Sequence, residues 1–184
     1  IKYNINRKVR WGEYNFAECK NLTGVKMKED GTPYIDETTG DYVYTISLPG
    51  KETFFGNYTF KGSALIALKF GKDNTQFSSS ATSVTFTSTT GIFSGCTELE
   101  KVTFEGDNIQ LCGQVFKGCE KLATVVGLEK AKYIGKNAFE GTALTELTFE
   151  KDVEFGDSAF KDCESLTKVT FSDKQTAIGS SAFF

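Results

Sequence analysis

From Ile134 to Phe149 the chain reads IGKNAFEGTALTELTF, and from Phe155 to Phe171 it restates this as FGDSAFKDCESLTKVTF. A third copy opens with IGSSAFF at Ile178. Self-similarity at a fixed period marks a repeat architecture and outranks any local reading of secondary structure. With the Phe of the AF step as anchor, Phe93, Phe116, Phe139, Phe160 and Phe183 follow one another at spacings of 23, 23, 21 and 23. The same frame extends upstream to Phe60, in FFGNYTFKGSALIALKF, and to Phe16, in WGEYNFAECKNLTGVKM. Seven anchors therefore cover nearly all of the 184 residues.

The other slots fall at constant distances from each anchor. Five residues before it stands a large apolar residue: Trp11, Phe55, Leu111, Ile134, Phe155 or Ile178. Three residues after it stands a small one: Cys19, Ser63, Cys96, Cys119, Thr142 or Cys163. A Leu follows, then an alternating pair: Val25/Met27, Leu68/Phe70, Val102/Phe104, Leu147/Phe149 and Val169/Phe171, with Val125/Gly127 after Phe116. The pair has the period of two of a half-buried strand, with its apolar members turned inward. A second alternating step precedes the Gly, as VRW at Val9, IQL at Ile109 and VEF at Val153, and predicts a shorter strand on the opposite wall. Between the strands G-x-x-A-F-x-G-C is too short for a stable helix and predicts a tight turn or a single helical turn. One such unit cannot bury its own apolar slots, so stacked units share one core. The expected fold is mainly β with short helical turns, in a single domain over residues 1–184 of about seven units.

At these residues, L-x-x-V-x-F followed by IG-x-x-AF-x-x-C, the chain resembles the BspA-like leucine-rich repeats of bacterial and protist surface proteins. The usual leucine-rich signature places Asn or Cys just after the strand, and this chain lacks it there, unlike the ribonuclease-inhibitor type. The resemblance implies a right-handed solenoid with a parallel sheet on the concave face. It also implies a cell-surface or secreted, extracellular module for adhesion or protein recognition. A passive spacer within a larger surface protein and a glycan-binding module are the alternatives.

Composition narrows the chemistry. Lys and Arg total 21 against 24 acids, a net charge of −3, without the clustered positive charge that nucleic acid or an anionic membrane requires. No apolar run approaches the ~20 residues of a membrane span, so direct membrane insertion by this segment is not expected. Histidine is absent, which removes the commonest general base and metal ligand. The acids fall in the variable slots between core positions, where solvated surface is expected, and the glycines recur with the repeat instead of forming a phosphate loop. No catalytic residue, metal site or cofactor is expected. Asp30, Asp36, Glu37 and Asp41 gather in DGTPYIDETTGD, but their spacing matches no calcium loop and suits a hairpin tip. Four of the five cysteines share the slot of Ser63 and Thr142, which points to buried free thiols. Cys112 stands where the repeat has Gly. Asn21-Leu-Thr and Asn57-Tyr-Thr are glycosylation sequons that carry meaning only in a eukaryotic secretory pathway.

Two joints break the period. An insertion near 29–50 holds Tyr42, Tyr44 and Ile46 after ETTGD, a β-hairpin with its turn near Gly40. A shorter one near 71–90 holds SSSATSVTFTSTT, in which Ser83 to Phe86 copies the strand pattern. The chain stops in mid-repeat at SSAFF, as a fragment of a larger protein would; otherwise Phe183 and Phe184 fold back as a cap. Insertions in repeat arrays gather on one face, often the binding face. The candidate contacts for a protein ligand (host, matrix or another cell surface) are therefore Tyr34, Tyr42 and Tyr44 first. The residues between inward Val and Phe come second, in two rows that should point outward. One is Lys26, Lys69, Thr103, Val126, Thr148 and Thr170; the other is Gly24, Ala67, Lys101, Thr124, Glu146 and Lys168.

Overall fold

The computed structural model describes residues 9–48, 53–72, 76–77, 90–107, 109–173 and 177–184. The chain is mainly β, with two parallel walls wound around one apolar column. Strands are numbered in chain order. The first wall takes β2 (Ser47–Leu48), β4 (Ala67–Phe70), β6 (Lys101–Phe104) and β8 (Thr124–Val126) as one four-stranded parallel sheet. After a 3-10 turn at Leu128–Lys130, the same slot of the next two rungs holds the parallel pair β10 (Glu146–Thr148) and β12 (Lys168–Thr170). The opposite wall pairs β1 (Val9–Trp11) with β3 (Thr53–Phe55). It continues as a five-stranded parallel sheet of β5 (Gln76–Phe77), β7 (Ile109–Leu111), β9 (Ala131–Ile134), β11 (Glu154–Phe155) and β13 (Ala177–Ile178). The steps VRW, IQL and VEF thus supply the second wall, as their alternation implies.

Between the walls the anchors form one unbroken stack. Phe16, Phe60, Phe93, Phe116, Phe139, Phe160 and Phe183 lie with ring centroids 5.1–5.4 Å apart and near-parallel planes. Phe55, Phe70, Phe104, Phe149 and Phe155 meet this column edge-on or tilted, the arrangements aromatic pairs prefer. Phe183 continues the stack, whereas the Phe184 side chain is 82% exposed.

The turn that carries each anchor is not helical. Two slots take left-handed backbone, one two residues before the anchor and one two residues after. The first holds Tyr14, Tyr58, Gly91, Gln114, Asn137, Ser158 and Ser181; the second holds Glu18, Gly62, Gly95, Gly118, Gly141 and Asp162. This geometry turns the anchor N–H away from its own turn and toward the next rung. Phe16, Phe60, Phe93, Phe116, Phe139 and Phe160 each donate to the carbonyl of the residue before the next anchor, at 2.7–2.9 Å. Buried backbone donors are thereby satisfied between rungs. A helical turn would have spent them internally.

Rung contact is close enough to dictate residue size. A Cβ added at Gly156 would stand 2.5 Å from the Lys136 nitrogen of the previous rung. The small slot after the anchor proves to be a donor slot as well as a packing slot. Ser63 and Thr142 donate to the carbonyls of Phe60 and Phe139 at 2.8 and 3.0 Å. Cys96, Cys119 and Cys163 donate their thiols to the anchor carbonyl of the preceding rung, Phe60, Phe93 and Phe139, at 3.1–3.2 Å. None of the five cysteines is in a disulfide, and Cys112 is buried in the slot that is elsewhere Gly.

The period breaks at the first strand, where the assignment of Val25 and Met27 as a sheet pair needs correction. Gly24 lies against Ala67, as the frame requires, and then the chain leaves the wall. It runs out and back as an antiparallel meander with isolated bridges Met27↔Pro33, Ile35↔Tyr42 and Val25↔Tyr44. It rejoins the wall as β2, where Ser47 pairs with Lys69 and Leu48 with Phe70. Ser47 and Leu48 thus take the places expected for Lys26 and Met27. The insertion is spliced into the strand itself over residues 25–46, as three runs with turns at Gly31 and Gly40, rather than a single hairpin beyond it. Residues 49–50 lie outside the described residues. Of the second insertion, only residues 71–72, 76–77 and 90 are described, so the strand copy at Ser83 to Phe86 lies outside them.

Candidate functional site

Parallel register carries the between-core residues into rows along the first wall. Ala67, Lys101 and Thr124 are aligned, as are Lys69, Thr103 and Val126. Glu146 aligns with Lys168 and Thr148 with Thr170. The rows are those expected from sequence, with Ser47 in place of Lys26, but only part of them faces solvent. Thr124, Val126, Glu146, Thr148, Lys168 and Thr170 are exposed. Lys101 and Thr103 are half-covered, and Ala67 is fully buried, contrary to its expected exposure.

Two polar contacts tie the meander to this region of the wall, and a third braces it from within. The Asp41 carboxylate receives a hydrogen bond from Lys101 Nζ at 3.0 Å and one from the Tyr44 hydroxyl at 3.1 Å. The Tyr42 hydroxyl donates to Glu100 Oε2 at 2.6 Å. Against partial burial, the Lys101 ammonium, the Tyr42 amide at 2.8 Å and the Tyr44 hydroxyl together hold the Asp41 carboxyl below the usual carboxylate range. Burial, with Glu100 beside Tyr42 and Asp41 beside Tyr44, pushes both phenols up to about 12. The Thr103 hydroxyl is buried at the same place.

The three tyrosines do not form one patch. Bridged residues in antiparallel runs share a face, and residues two apart share a face. Ile35, Tyr42, Tyr44 and Val25 therefore lie on one side, with the Tyr42 and Tyr44 rings 6.4 Å apart. Tyr34 lies on the other side, under Lys26 Nζ at 4.4 Å. The run of tyrosines was legible in sequence; its division between two faces depends on pairing. Sequence reading also passed over Glu100, the acceptor for Tyr42, because its slot varies from rung to rung.

The acids of the meander tip are engaged within it. Asp30 accepts from the Thr32 amide and hydroxyl, and Asp36 from the Thr38 and Thr39 amides. Among the described residues no cluster of three or more acids and cysteines has metal-binding geometry. No helix among them is long and apolar enough to cross a membrane. Trp11 packs against Phe16 and Phe60 at 5.2 and 6.0 Å, so it belongs to the column.

Comparison with known proteins agrees with this geometry. The sequence profile of the BspA type leucine rich repeat region matches six copies, over residues 2–89 and 87–184. No curated protein matches the chain. A crystal structure of a leucine-rich repeat protein from Bacteroides ovatus ATCC 8483 aligns with a TM-score of 0.41 and 19% identity. The alignment covers 95% of this chain and 61% of that one. Leucine-rich repeats are generally non-catalytic scaffolds for protein interaction, and this family is often surface-associated. With its rungs, walls and matched repeats taken together, the chain belongs to the BspA type leucine-rich repeat family.

Proposed function

We propose that this chain is an extracellular, cell-surface or secreted adhesion module that binds a protein partner on the open part of the first wall. The observation that carries the reading is the coexposure of Thr124, Val126, Glu146, Thr148, Lys168 and Thr170 on successive rungs. Glu146 and Lys168 form a 3.9 Å pair, each about two-thirds exposed. Such a pair contributes only about 0–1 kcal/mol, so a partner can redirect either charge at little cost. The edge strand β8 and the separate pair β10 and β12, each three residues long, present an exposed area on the order of 10² Å². That is far below the ~800 Å² per partner of a stable interface. The meander rim, with Tyr34 on its outer side, supplies the remaining area in this reading. Tyr42 and Tyr44 then set the edge of the site and do not serve as its first contacts.

The test is capture from extracellular-matrix and cell-surface extracts by the wild type and by a Thr148→Arg/Thr170→Arg variant. A partner retained by the wild type and lost from the variant, at an unchanged melting midpoint, supports the reading. Equal retention by both proteins rejects the wall as the site. Capture by neither rejects the adhesion function and leaves the chain a spacer.

A further inference from the structure

Part of the first wall is covered by the chain itself. The meander leaves the wall at Gly24, on the first rung, and its second turn reaches Lys101 and Glu100 on the third. It holds together on its own account. Backbone hydrogen bonds within it join Lys26 to Val43, Tyr34 to Lys26, Val43 to Tyr34 and Asp36 to Asp41. Among the described residues no backbone hydrogen bond runs from residues 25–44 to a wall strand. The base is narrow: the Thr45 and Ile46 amides both donate to the Gly24 carbonyl, at 2.9 and 3.3 Å, and Gly24 itself has φ 76°. A unit closed on itself and joined at one short stretch can change its angle to the wall without breaking its own ladder.

What ties the tip down is side-chain chemistry of the kind that recognises a partner. The Asp41 carboxylate takes the Lys101 ammonium at 3.0 Å, and the neighbouring Tyr42 hydroxyl donates to the Glu100 carboxylate at 2.6 Å. The Lys101 and Asp41 side chains remain 26% and 27% exposed, so an incoming carboxylate can reach the pair and exchange with it. Lys101 aligns with exposed Thr124 on the next rung, and Thr103 with exposed Val126. The covered groups therefore continue the open rows and are not a separate patch. Their position in mid-wall, held by an acid and a tyrosine from 58–60 residues away, is that of an occupied binding site.

We propose that the meander is an autoinhibitory strap. Asp41 and Tyr42 occupy Lys101 and Glu100 in place of a partner, and the partner that displaces them presents a carboxylate and an adjoining tyrosine on an extended segment. The proposal rests on the reading of the first wall as a binding face and names the chemistry that face selects. Displacement adds Lys101 and Thr103 to the open rows, which alone are too small for a stable interface. While the strap is closed, apparent affinity is reduced by the fraction of molecules in which the row is open.

The probe is a synthetic peptide of residues 39–45, TGDYVYT, displayed multivalently on streptavidin and passed over the immobilised whole chain. The wild type should bind it weakly, and Asp41→Ser/Tyr42→Ser, which vacates Lys101 and Glu100, about tenfold more tightly. Asp41→Asn, which keeps the shape of the side chain and loses its charge, should shift binding in the same direction without disturbing the meander. Adding Lys101→Gln to either variant should return binding to the wild-type level or below. The peptide carrying Asp41→Asn and Tyr42→Phe should bind none of the proteins. Protection of the Phe116 and Phe139 amides from hydrogen exchange checks that the column is intact in each. If neither variant tightens binding, or if the tightened binding survives Lys101→Gln, the strap does not stand in for a partner. Extract capture that is lost in Thr148→Arg/Thr170→Arg, alongside peptide binding that no variant alters, would overturn the strap and leave the reading of the wall standing.

Discussion

Phe139 shows what a single position contributes to this chain. It is fully buried and stacked between Phe116 and Phe160 at 5.4 and 5.3 Å, so its removal empties one step of a continuous column. Phe139→Ala should destabilise by about 3–5 kcal/mol in urea unfolding, the range for a buried Phe. A near-neutral result would place the ring outside the core. Gln114 makes the opposite case. It adopts φ 61° in the slot that Gly91 fills in the neighbouring turn. An L-residue there costs roughly 1–2 kcal/mol, offset in part by the greater unfolded-state entropy of Gly. Gln114→Gly should therefore raise stability by up to about 1 kcal/mol, read as a higher urea midpoint at constant slope. At this scale the positions of the anchors and small residues were legible because they recur. The purpose of the small slot was legible only in part. Cys, Ser and Thr share size, which suggests packing, but they also share a donor; the hydroxyls use the carbonyl of their own anchor, whereas the thiols use that of the preceding rung, brought close by the fold.

At the scale of elements, the meander separates what its sequence joins. Tyr34 faces outward beneath Lys26, whereas Tyr42 and Tyr44 face the side that bonds Glu100 and Asp41. Tyr34→Ser should shift the melting midpoint by no more than a couple of degrees, since exposed substitutions usually stay within ±0.5 kcal/mol. Tyr42→Ser/Tyr44→Ser removes the Glu100 contact and the Tyr44 brace on Asp41, leaving the Lys101–Asp41 pair, and should loosen the meander while leaving the column intact. Hydrogen exchange should show faster amides over residues 25–46, with protection at Phe116 and Phe139 unchanged. Equal exchange in the double variant would mean that backbone pairing and the Lys101–Asp41 pair hold the meander without the tyrosines. The existence of an inserted antiparallel segment was legible from ETTGD and the alternation after it. Its point of departure was not, because Val25-x-Met27 fits the strand pattern as well as Ser47-Leu48 does at the wall.

At the scale of the molecule, the column of thiols links stability to pH. Burial pushes the Cys96 thiol from 9.0 up to about 11 and the Cys119 thiol well up, and it raises Cys163. A folded pKa above the unfolded one means that the folded state holds the proton more tightly. The stabilisation is full below pH 9 and is lost as pH rises toward 11 and beyond. For Cys96 the shift corresponds to about 2–3 kcal/mol at most. The urea midpoint should hold steady from pH 7 to 8.5 and fall steeply between pH 9 and 11. Cys96→Ser, which places a residue already used at Ser63 in the same slot, should make that fall shallower. A midpoint independent of pH across this range would show that these thiols ionise in the folded protein at no cost.

By itself the sequence determined the repeat, the anchor column, the inward pair of the rungs after the first and the second wall, because each rests on residue types recurring at short, constant spacing. The handling of anchor amides, the exposure of the rows and the division of the tyrosines were decided only in three dimensions. The reason is pairing between distant segments. Met27 and Leu48 both suit the place beside Phe70, and one occupant excludes the other. Leu48 takes it, and the chain between them must then leave the wall and return, which places Asp41 and Tyr42 against Lys101 and Glu100. No local pattern encodes that competition, and its outcome sets which part of the first wall remains uncovered.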